Sequence, residues 1–125
     1  MGFLDNIFII KSIEETENGF KARLECNPKH PVYQSHFPGH PITPGACLLQ
    51  MAGEILAQKL GKPLFLKQSK NIKYLSVLVP DEGKEIEYRF SSVVESASEC
   101  KAQVVVAEGT TVYAKMSLIY SYEPL

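Results

Sequence analysis

The stretch with the clearest capacity for chemistry is HFPGHPITPGACLLQMAGE, residues 36–54, in which His36 and His40 stand among prolines and glycines directly before a helical pattern. Prolines restrict the backbone, and the free amides at the start of a helix can bind a negatively charged oxygen. Loops held in this way commonly carry binding or catalytic residues. The composition therefore predicts a rigid loop that fixes side chains and backbone amides at the mouth of a helix.

A metal site is the alternative interpretation of the same region, because His30, His36 and His40 are close in sequence. No cysteine or carboxylate lies among them, and the intervening prolines limit how the side chains could converge. We therefore expect neither a metal ion nor a cofactor.

A second polar pattern lies within the predicted helix, where Gln50, Glu54 and Gln58 recur every four residues and so share one face. Periodicity alone leaves two interpretations open. The stripe is either the solvated edge of a mostly buried helix, or it faces a cleft or a partner subunit where the loop histidines meet it.

The lysines that follow Glu54 form a one-sided run, since no acidic residue occurs before Asp81. The run is either an ordinary solvated surface or a docking patch for an acidic partner protein. Its members are Lys59, Lys62, Lys67, Lys70 and Lys73.

The three cysteines, Cys26, Cys47 and Cys100, show no C-x-x-C spacing, and we expect them to be reduced and structural. Cys47 falls in the first turn of the helix, where a thiolate would be stabilised. No motif builds a nucleophile around it, so packing of a small side chain is the expected role.

The helix that positions these residues has recognisable limits. Thr43 can cap it, Pro44 suits its first position, and Gly61 and Pro63 end it. Apolar residues recur at helical spacing between these limits, at Leu48, Leu49, Ala52, Ile55, Leu56 and Leu60.

Strand patterns flank the helix on both sides. Asn18-Gly19 predicts a hairpin with a primed turn joining strands near residues 6–15 and 20–27. Four further strand-like runs follow the helix, at residues 65–80, 84–96, 100–109 and 110–122. This order predicts an α+β domain in which one sheet curls over one helix.

Length and composition bound the possibilities. The 125 residues suit a single domain, residues 1–125, with a normal core, and the net charge of −1 excludes a strongly basic nucleic-acid binder. No apolar run approaches the ~20 residues that span a bilayer, and no secretory cleavage pattern is seen, so we expect a cytoplasmic protein that binds neither membrane nor nucleic acid.

The loop HFPGHPITPG, followed by ACLLQMAGE, resembles the signature of the hot-dog-fold 3-hydroxyacyl-acyl-carrier-protein dehydratases of fatty-acid synthesis. The resemblance implies a six-stranded antiparallel sheet wrapped around one long central helix. It also implies an obligate dimer with one continuous sheet, active sites at the dimer interface, and acyl carrier protein as partner.

Position by position, the resemblance makes His36 the catalytic base and Gly45 the glycine whose amide holds the thioester carbonyl. The loop residues that position them correspond to Phe37, Pro38, Gly39, Pro41 and Pro44. Glycine would let the substrate approach this backbone closely.

One position departs from the family pattern: Gln50 stands where the family has its catalytic Glu or Asp, and an amide cannot serve as a general acid. Three alternatives follow. Glu54, one turn further on, supplies the acid; Gln50 orients the hydroxyl while His36 returns its proton; or a different protomer supplies the carboxylate.

The expected function is dehydration of a (3R)-hydroxyacyl thioester. The alternatives are a catalytically weak subunit that binds acyl chains or completes a heterodimer, and a thioesterase.

Overall fold

The computed structural model describes residues 6–35, 39 and 41–125. The elements are β1 Phe8–Thr16, β2 Gly19–Cys26, α1 Val32–Ser35, α2 Gly45–Leu60, β3 Phe65–Tyr74, β4 Glu85–Glu95, β5 Glu99–Glu108 and β6 Thr111–Ser121. His36, Phe37, Pro38 and His40, which carry part of the predicted site, lie outside the described residues.

The strands form one six-stranded sheet in the order β1-β2-β4-β5-β6-β3, and each neighbouring pair is antiparallel. This confirms the predicted hot-dog architecture of one antiparallel sheet and one long helix. β1 and β3 are the two edges of the sheet. β3 joins the sheet through β6, so the strand that directly follows the helix lies at the far edge from β1.

The core lies between the sheet and α2 because alternate strand residues point to the same face. Phe20, Ala22, Leu24 and Cys26 of β2 are buried, and the residues between them are not. Phe20 stacks on Phe90 of β4 with ring centroids 4.5 Å apart. The hydroxyl of Tyr88 donates to the Leu48 carbonyl of α2 at 2.9 Å, which ties the helix to the centre of the sheet.

The predicted hairpin between β1 and β2 is present, but the predicted primed turn is wrong. Glu17 and Asn18 form the two-residue connection, and neither has the positive φ that a type I′ turn requires. Gly19 pairs with Thr16 as the first residue of β2. A Cβ at Gly19 would lie 2.1 Å from the Phe90 carbonyl oxygen, so the close approach of β4 requires glycine there.

The helix start also differs from the prediction. α2 begins at Gly45, and Pro44 occupies the cap position without a side-chain hydrogen bond. Thr43 does not cap the helix, because its hydroxyl is buried in a 2.9 Å hydrogen bond with the Tyr33 hydroxyl. The predicted end is confirmed, since Gly61 adopts φ 69° and its amide donates to the Ala57 carbonyl at 2.9 Å.

The strand predicted over residues 65–80 ends at Tyr74. Beyond it the chain leaves the sheet, and the Leu78 carbonyl accepts a hydrogen bond from the Thr43 amide at 2.8 Å. The segment therefore supports the loop before α2 instead of extending β3. No helix in the described part of the chain has the length and apolarity needed to cross a membrane.

Candidate functional site

The mouth of α2 is built by Pro44, which is extended at φ −61° and ψ 146°. Its carbonyl accepts the amides of Cys47 at 3.0 Å and Leu48 at 3.4 Å, which begins the helical hydrogen bonding. The amides of the first turn precede this ladder, as at any helix start, and carry the positive end of the helix dipole. The geometry can therefore stabilise a developing negative charge at Gly45.

Tyr74, at the end of β3, is a neighbour of this helix start that the sequence interpretation missed. Its hydroxyl donates to the Gly45 carbonyl at 3.1 Å. A Cβ at Gly45 would lie 2.6 Å from the Tyr74 ring, so the ring already fills the space that a side chain would need. The structure thus gives a reason for glycine at position 45 that does not involve substrate.

The loop that precedes α2 is anchored at both ends by described residues. The hydrogen bond between Tyr33 and Thr43 joins the two sides of the loop across its base, and both side chains are buried. His30, also buried, accepts the Val32 amide at its Nδ1 atom at 3.0 Å. Between these anchors Gly39 is exposed with φ 86°, a conformation that favours glycine.

A cavity of about 520 Å³ lies along α2, between the helix and the beginning of β3. Its walls are mostly apolar and come from three parts of the chain. The lining residues are Ala46, Leu49, Gln50, Gly53, Glu54, Ala57, Pro63, Leu64, Phe65, Leu66 and Tyr120.

Only part of the polar stripe of the helix lines this cavity. Gln50 and Glu54 line it, whereas Gln58 is exposed and does not. Gln50 is exposed and Glu54 is half-buried. They lie about 6 Å apart along the helix axis, and Gly45 lies about 7.5 Å before Gln50. Of the stripe, Gln50 and Glu54 therefore line the cavity, which on the helix begins at Ala46. Whether the loop histidines meet them stays a prediction, because His36 and His40 lie outside the described residues.

In the structure, three of the five lysines of the run form ion pairs. Lys59 pairs with Glu15 at 2.5 Å, Lys62 pairs with Glu95 at 3.0 Å, and Lys67 pairs with Glu99. The hydrogen bonds of Tyr122 and Lys62 hold the pKa of the Glu95 carboxyl below its usual value. Sequence alone could not show these pairs, because each acid belongs to a strand that is distant in sequence from its lysine.

Lys70 and Lys73 of β3 form no ion pair with any described residue. Lys73 lies directly opposite Lys115 of β6. Like charges directly opposite each other in such a pair are destabilising. Within the predicted docking run, Lys70 and Lys73 are therefore the members left available.

Cys47 packs in the core with 4% of its surface exposed, and burial raises the pKa of its thiol. This opposes the effect of the helix start on a thiolate, and the expected packing role accounts for the residue. Among the residues that the structure describes, no group of three histidine, cysteine or acidic side chains could hold a metal ion.

Comparison with known proteins identifies relatives. The model of the ApeI-like family, described as ApeI dehydratase, matches residues 12–114. A 3-hydroxyacyl-[acyl-carrier-protein] dehydratase FabZ from Thermotoga neapolitana is 30% identical over 112 residues, which are 86% of this chain and 80% of that protein.

Two solved structures share the fold at low sequence identity. The ApeI:P dehydratase heterocomplex from Xenorhabdus doucetiae aligns with TM-score 0.68 and 15% identity, covering 90% of this chain and 96% of that one. A candidate thioesterase, yhdA from Lactococcus lactis, aligns with TM-score 0.70 and 13% identity, covering 99% and 98%.

Proposed function

Because this chain belongs to the ApeI-like dehydratase family, we propose that it removes water from a (3R)-hydroxyacyl thioester carried on acyl carrier protein and so forms the trans-2-enoyl thioester. The observation that carries the proposal is the apolar cavity that runs along α2 from a helix start. An acyl chain fits the apolar walls, and the amides of the helix start suit its thioester carbonyl.

In the proposed reaction His36 is the base. Its neutral imidazole takes the proton from the carbon next to the thioester carbonyl, and the carbonyl oxygen gains negative charge as the enolate forms. The Gly45 amide donates to that oxygen. The bond between the third carbon and its hydroxyl then breaks, the double bond forms, and the hydroxyl leaves as water after receiving a proton.

Gln50 decides how that last proton is delivered. Its amide lines the cavity one to two turns beyond Gly45, where it can hydrogen-bond the leaving hydroxyl without titrating. We propose that Gln50 orients the hydroxyl and that His36 returns the proton it removed. Glu54, half-buried on the same wall, is the alternative acid if the substrate hydroxyl lies one turn deeper.

A second candidate function is a subunit that completes a heterodimer whose other chain supplies the carboxylate. Gln50 is the observation that favours it, since it occupies the position of the family's acid. The ApeI:P structure from Xenorhabdus doucetiae is a heterocomplex. In either case the proposal includes a paired chain, because β3 is an edge strand and the apolar side chains near it are exposed, namely Leu66, Tyr74, Leu75, Val77 and Val79.

The test of function uses the purified chain alone with a 3-hydroxyacyl-acyl-carrier-protein and follows both the enoyl product and free carrier thiol. Dehydration produces enoyl thioester without thiol, whereas a thioesterase releases thiol. We expect enoyl product from the wild type and none from a folded His36→Ala variant. Product that appears only after a second hot-dog chain is added would support the heterodimer instead, and full activity in His36→Ala would reject the assignment of the base.

Light scattering at micromolar concentration tests the pairing separately. We expect a dimer or a larger assembly of dimers. A monomer under these conditions would contradict the proposed closure of the β3 edge by a second chain.

A further inference from the structure

The loop that carries His36 enters from α1 and leaves into α2, and described residues hold each side of it. Tyr33 of α1 is three residues before His36, and Thr43 is two residues before Gly45. The two side chains belong to residues that are 2% and 4% exposed, and their hydroxyls bond each other at 2.9 Å. One buried hydrogen bond therefore links the side of the loop that leads to the proposed base with the side that leads to the proposed oxyanion amide.

The backbone on both sides of this bond is itself hydrogen-bonded. In α1 the Tyr33 amide donates to the His30 carbonyl at 3.1 Å, and the Gln34 amide donates to the Pro31 carbonyl at 3.0 Å. On the other side the Thr43 amide donates at 2.8 Å to the carbonyl of Leu78, which is 1% exposed. The hydroxyl pair consequently joins two anchored segments, so the length of the bond constrains the distance between them.

The pair contributes more to geometry than to stability. Two apolar side chains of the same shape would fill its place at nearly the same free energy of unfolding, because a neutral hydrogen bond within a protein replaces bonds to water. Hydroxyls that satisfy each other in the core instead specify one arrangement of the segments that carry them. Burial raises the pKa of Tyr33 to about 12, so its hydroxyl stays protonated and the bond persists throughout the neutral range.

We propose that Tyr33 and Thr43 are positioning residues of the dehydration, in which their hydrogen bond sets the separation between the base and the oxyanion amide. The base removes a proton from the carbon bonded to the thioester carbonyl, and the amide binds the oxygen of that carbonyl, so the two groups must reach neighbouring atoms of one substrate. Misplacement of such groups by about 1 Å can lower a rate about 10²-fold. The proposal rests on the proposed function, because it takes His36 as the base and the Gly45 amide as the donor.

Removing either hydroxyl tests this role with little change of shape. Tyr33→Phe deletes the phenol oxygen, and Thr43→Val replaces the hydroxyl with a methyl group. Under the conditions in which the wild type turns over, each should lower kcat about tenfold and change KM for the 3-hydroxyacyl carrier protein by less than about twofold, because the walls of the cavity are untouched. The double variant should be no slower than either single variant, since both delete the same interaction.

Two control variants separate positioning from a general loss of stability. Thr43→Ser keeps the hydroxyl but removes a buried methyl group, so it should be destabilised and yet retain the wild-type kcat. Tyr113→Phe removes another buried tyrosine hydroxyl, which bonds Glu108 at 2.8 Å and neither side of the loop, and it should also retain the wild-type kcat. Urea unfolding ranks the stability of all variants, and that ranking should differ from the ranking of kcat.

Hydrogen exchange followed by mass spectrometry gives a second readout that requires no turnover. If the bond links the two sides of the loop, the amides of residues 32–35 and 43–48 should exchange about threefold to tenfold faster in Tyr33→Phe and Thr43→Val, as the loss of one neutral hydrogen bond allows. Exchange in these segments should not change in Thr43→Ser or Tyr113→Phe.

Three results overturn the positioning role while leaving the proposed function intact. They are an active wild type whose kcat is unchanged in Tyr33→Phe and Thr43→Val, an equal fall of kcat in either control variant, and unchanged exchange in both variants that lack a hydroxyl. A wild type that forms no enoyl product, alone or with a second hot-dog chain, instead refutes dehydration and with it any role of the pair in that reaction.

Discussion

The two sides of α2 differ in the size and polarity of the side chains that they present. Toward the sheet the helix presents Cys47, Leu48, Met51, Ala52, Ile55 and Leu56, none of which is more than 6% exposed. Toward the cavity it presents Ala46, Leu49, Gln50, Gly53, Glu54 and Ala57. The first set is entirely apolar and mostly large, whereas the second combines Leu49 with three small residues and with the polar side chains of Gln50 and Glu54.

Under the proposed function, one helix separates fold stability from substrate recognition, because the two sets of residues are offset around its axis. The sheet side removes apolar surface from water and so holds the fold together. On the cavity side, small residues leave space and polar residues remain within reach of a ligand. Substitutions on the two sides should consequently affect different measurements.

The largest effect is expected from shortening a leucine on the sheet side. Leu56 is fully buried, so Leu56→Ala should lower the free energy of unfolding by about 2–5 kcal/mol through lost burial and a new cavity. Leu49→Ala is the matched change on the half-buried cavity side and should cost only about 1 kcal/mol. Urea unfolding of both variants measures this contrast, and equal losses would show that the two sides are not distinct.

The second prediction restores a carboxylate to the cavity side. Gln50→Glu should raise turnover about 10²-fold, the lower end of what a general acid contributes, while the free energy of unfolding changes little. Glu54→Gln should have a small effect. Steady-state kinetics of both variants tests the assignment.

The opposite pattern in these two variants would be equally informative. If Glu54→Gln abolishes activity, Glu54 is the acid, and a second carboxylate at position 50 would be expected to hinder it. A Gln50→Glu variant less active than the wild type would contradict the proposed orienting role of Gln50.

The third prediction concerns the start of α2, where Tyr74 contacts Gly45. Gly45→Ala places a methyl group 2.6 Å from the Tyr74 ring and should lower kcat/KM about tenfold by displacing that ring and the first turn. The double variant Gly45→Ala with Tyr74→Ala should recover most of this loss, because the effects of contacting residues are not additive. Without recovery, the glycine would instead be required for close approach of the substrate.

The smallest effect is expected from replacing the two lysines of β3 that form no ion pair with a described residue. Lys70→Gln and Lys73→Gln should each raise KM a few-fold for a carrier-protein substrate, since an exposed ion pair is worth about 0.2–1 kcal/mol. KM for the matching pantetheine thioester should not change. Lys62→Gln is the control, because Lys62 already pairs with Glu95. An equal rise in KM for the carrier-protein substrate in Lys62→Gln would remove the distinction between paired and unpaired lysines.

The sequence by itself determined the order of the elements, the antiparallel α+β fold and the end of α2 at Gly61. These follow from side-chain periodicity and from the conformational preferences of glycine and proline, which act over a few residues. It also marked Gln50 and Glu54 as members of one helix face. The resemblance of residues 36–54 to the dehydratase signature added the family, and the match over residues 12–114 confirmed it.

Only the tertiary structure decided which distant residues meet. Tyr74 reaches Gly45 across 29 residues of sequence, and Lys62 finds Glu95 across 33. Tyr120 meets Gly53 because β6 passes beneath the helix. Contacts between distant residues also explain why the predicted helix cap and the predicted primed turn were wrong. Thr43 bonds Tyr33 instead of capping the helix, and Gly19 is required by the close approach of Phe90 in β4. Contacts of this kind depend on how the sheet and helix pack, which no local pattern encodes.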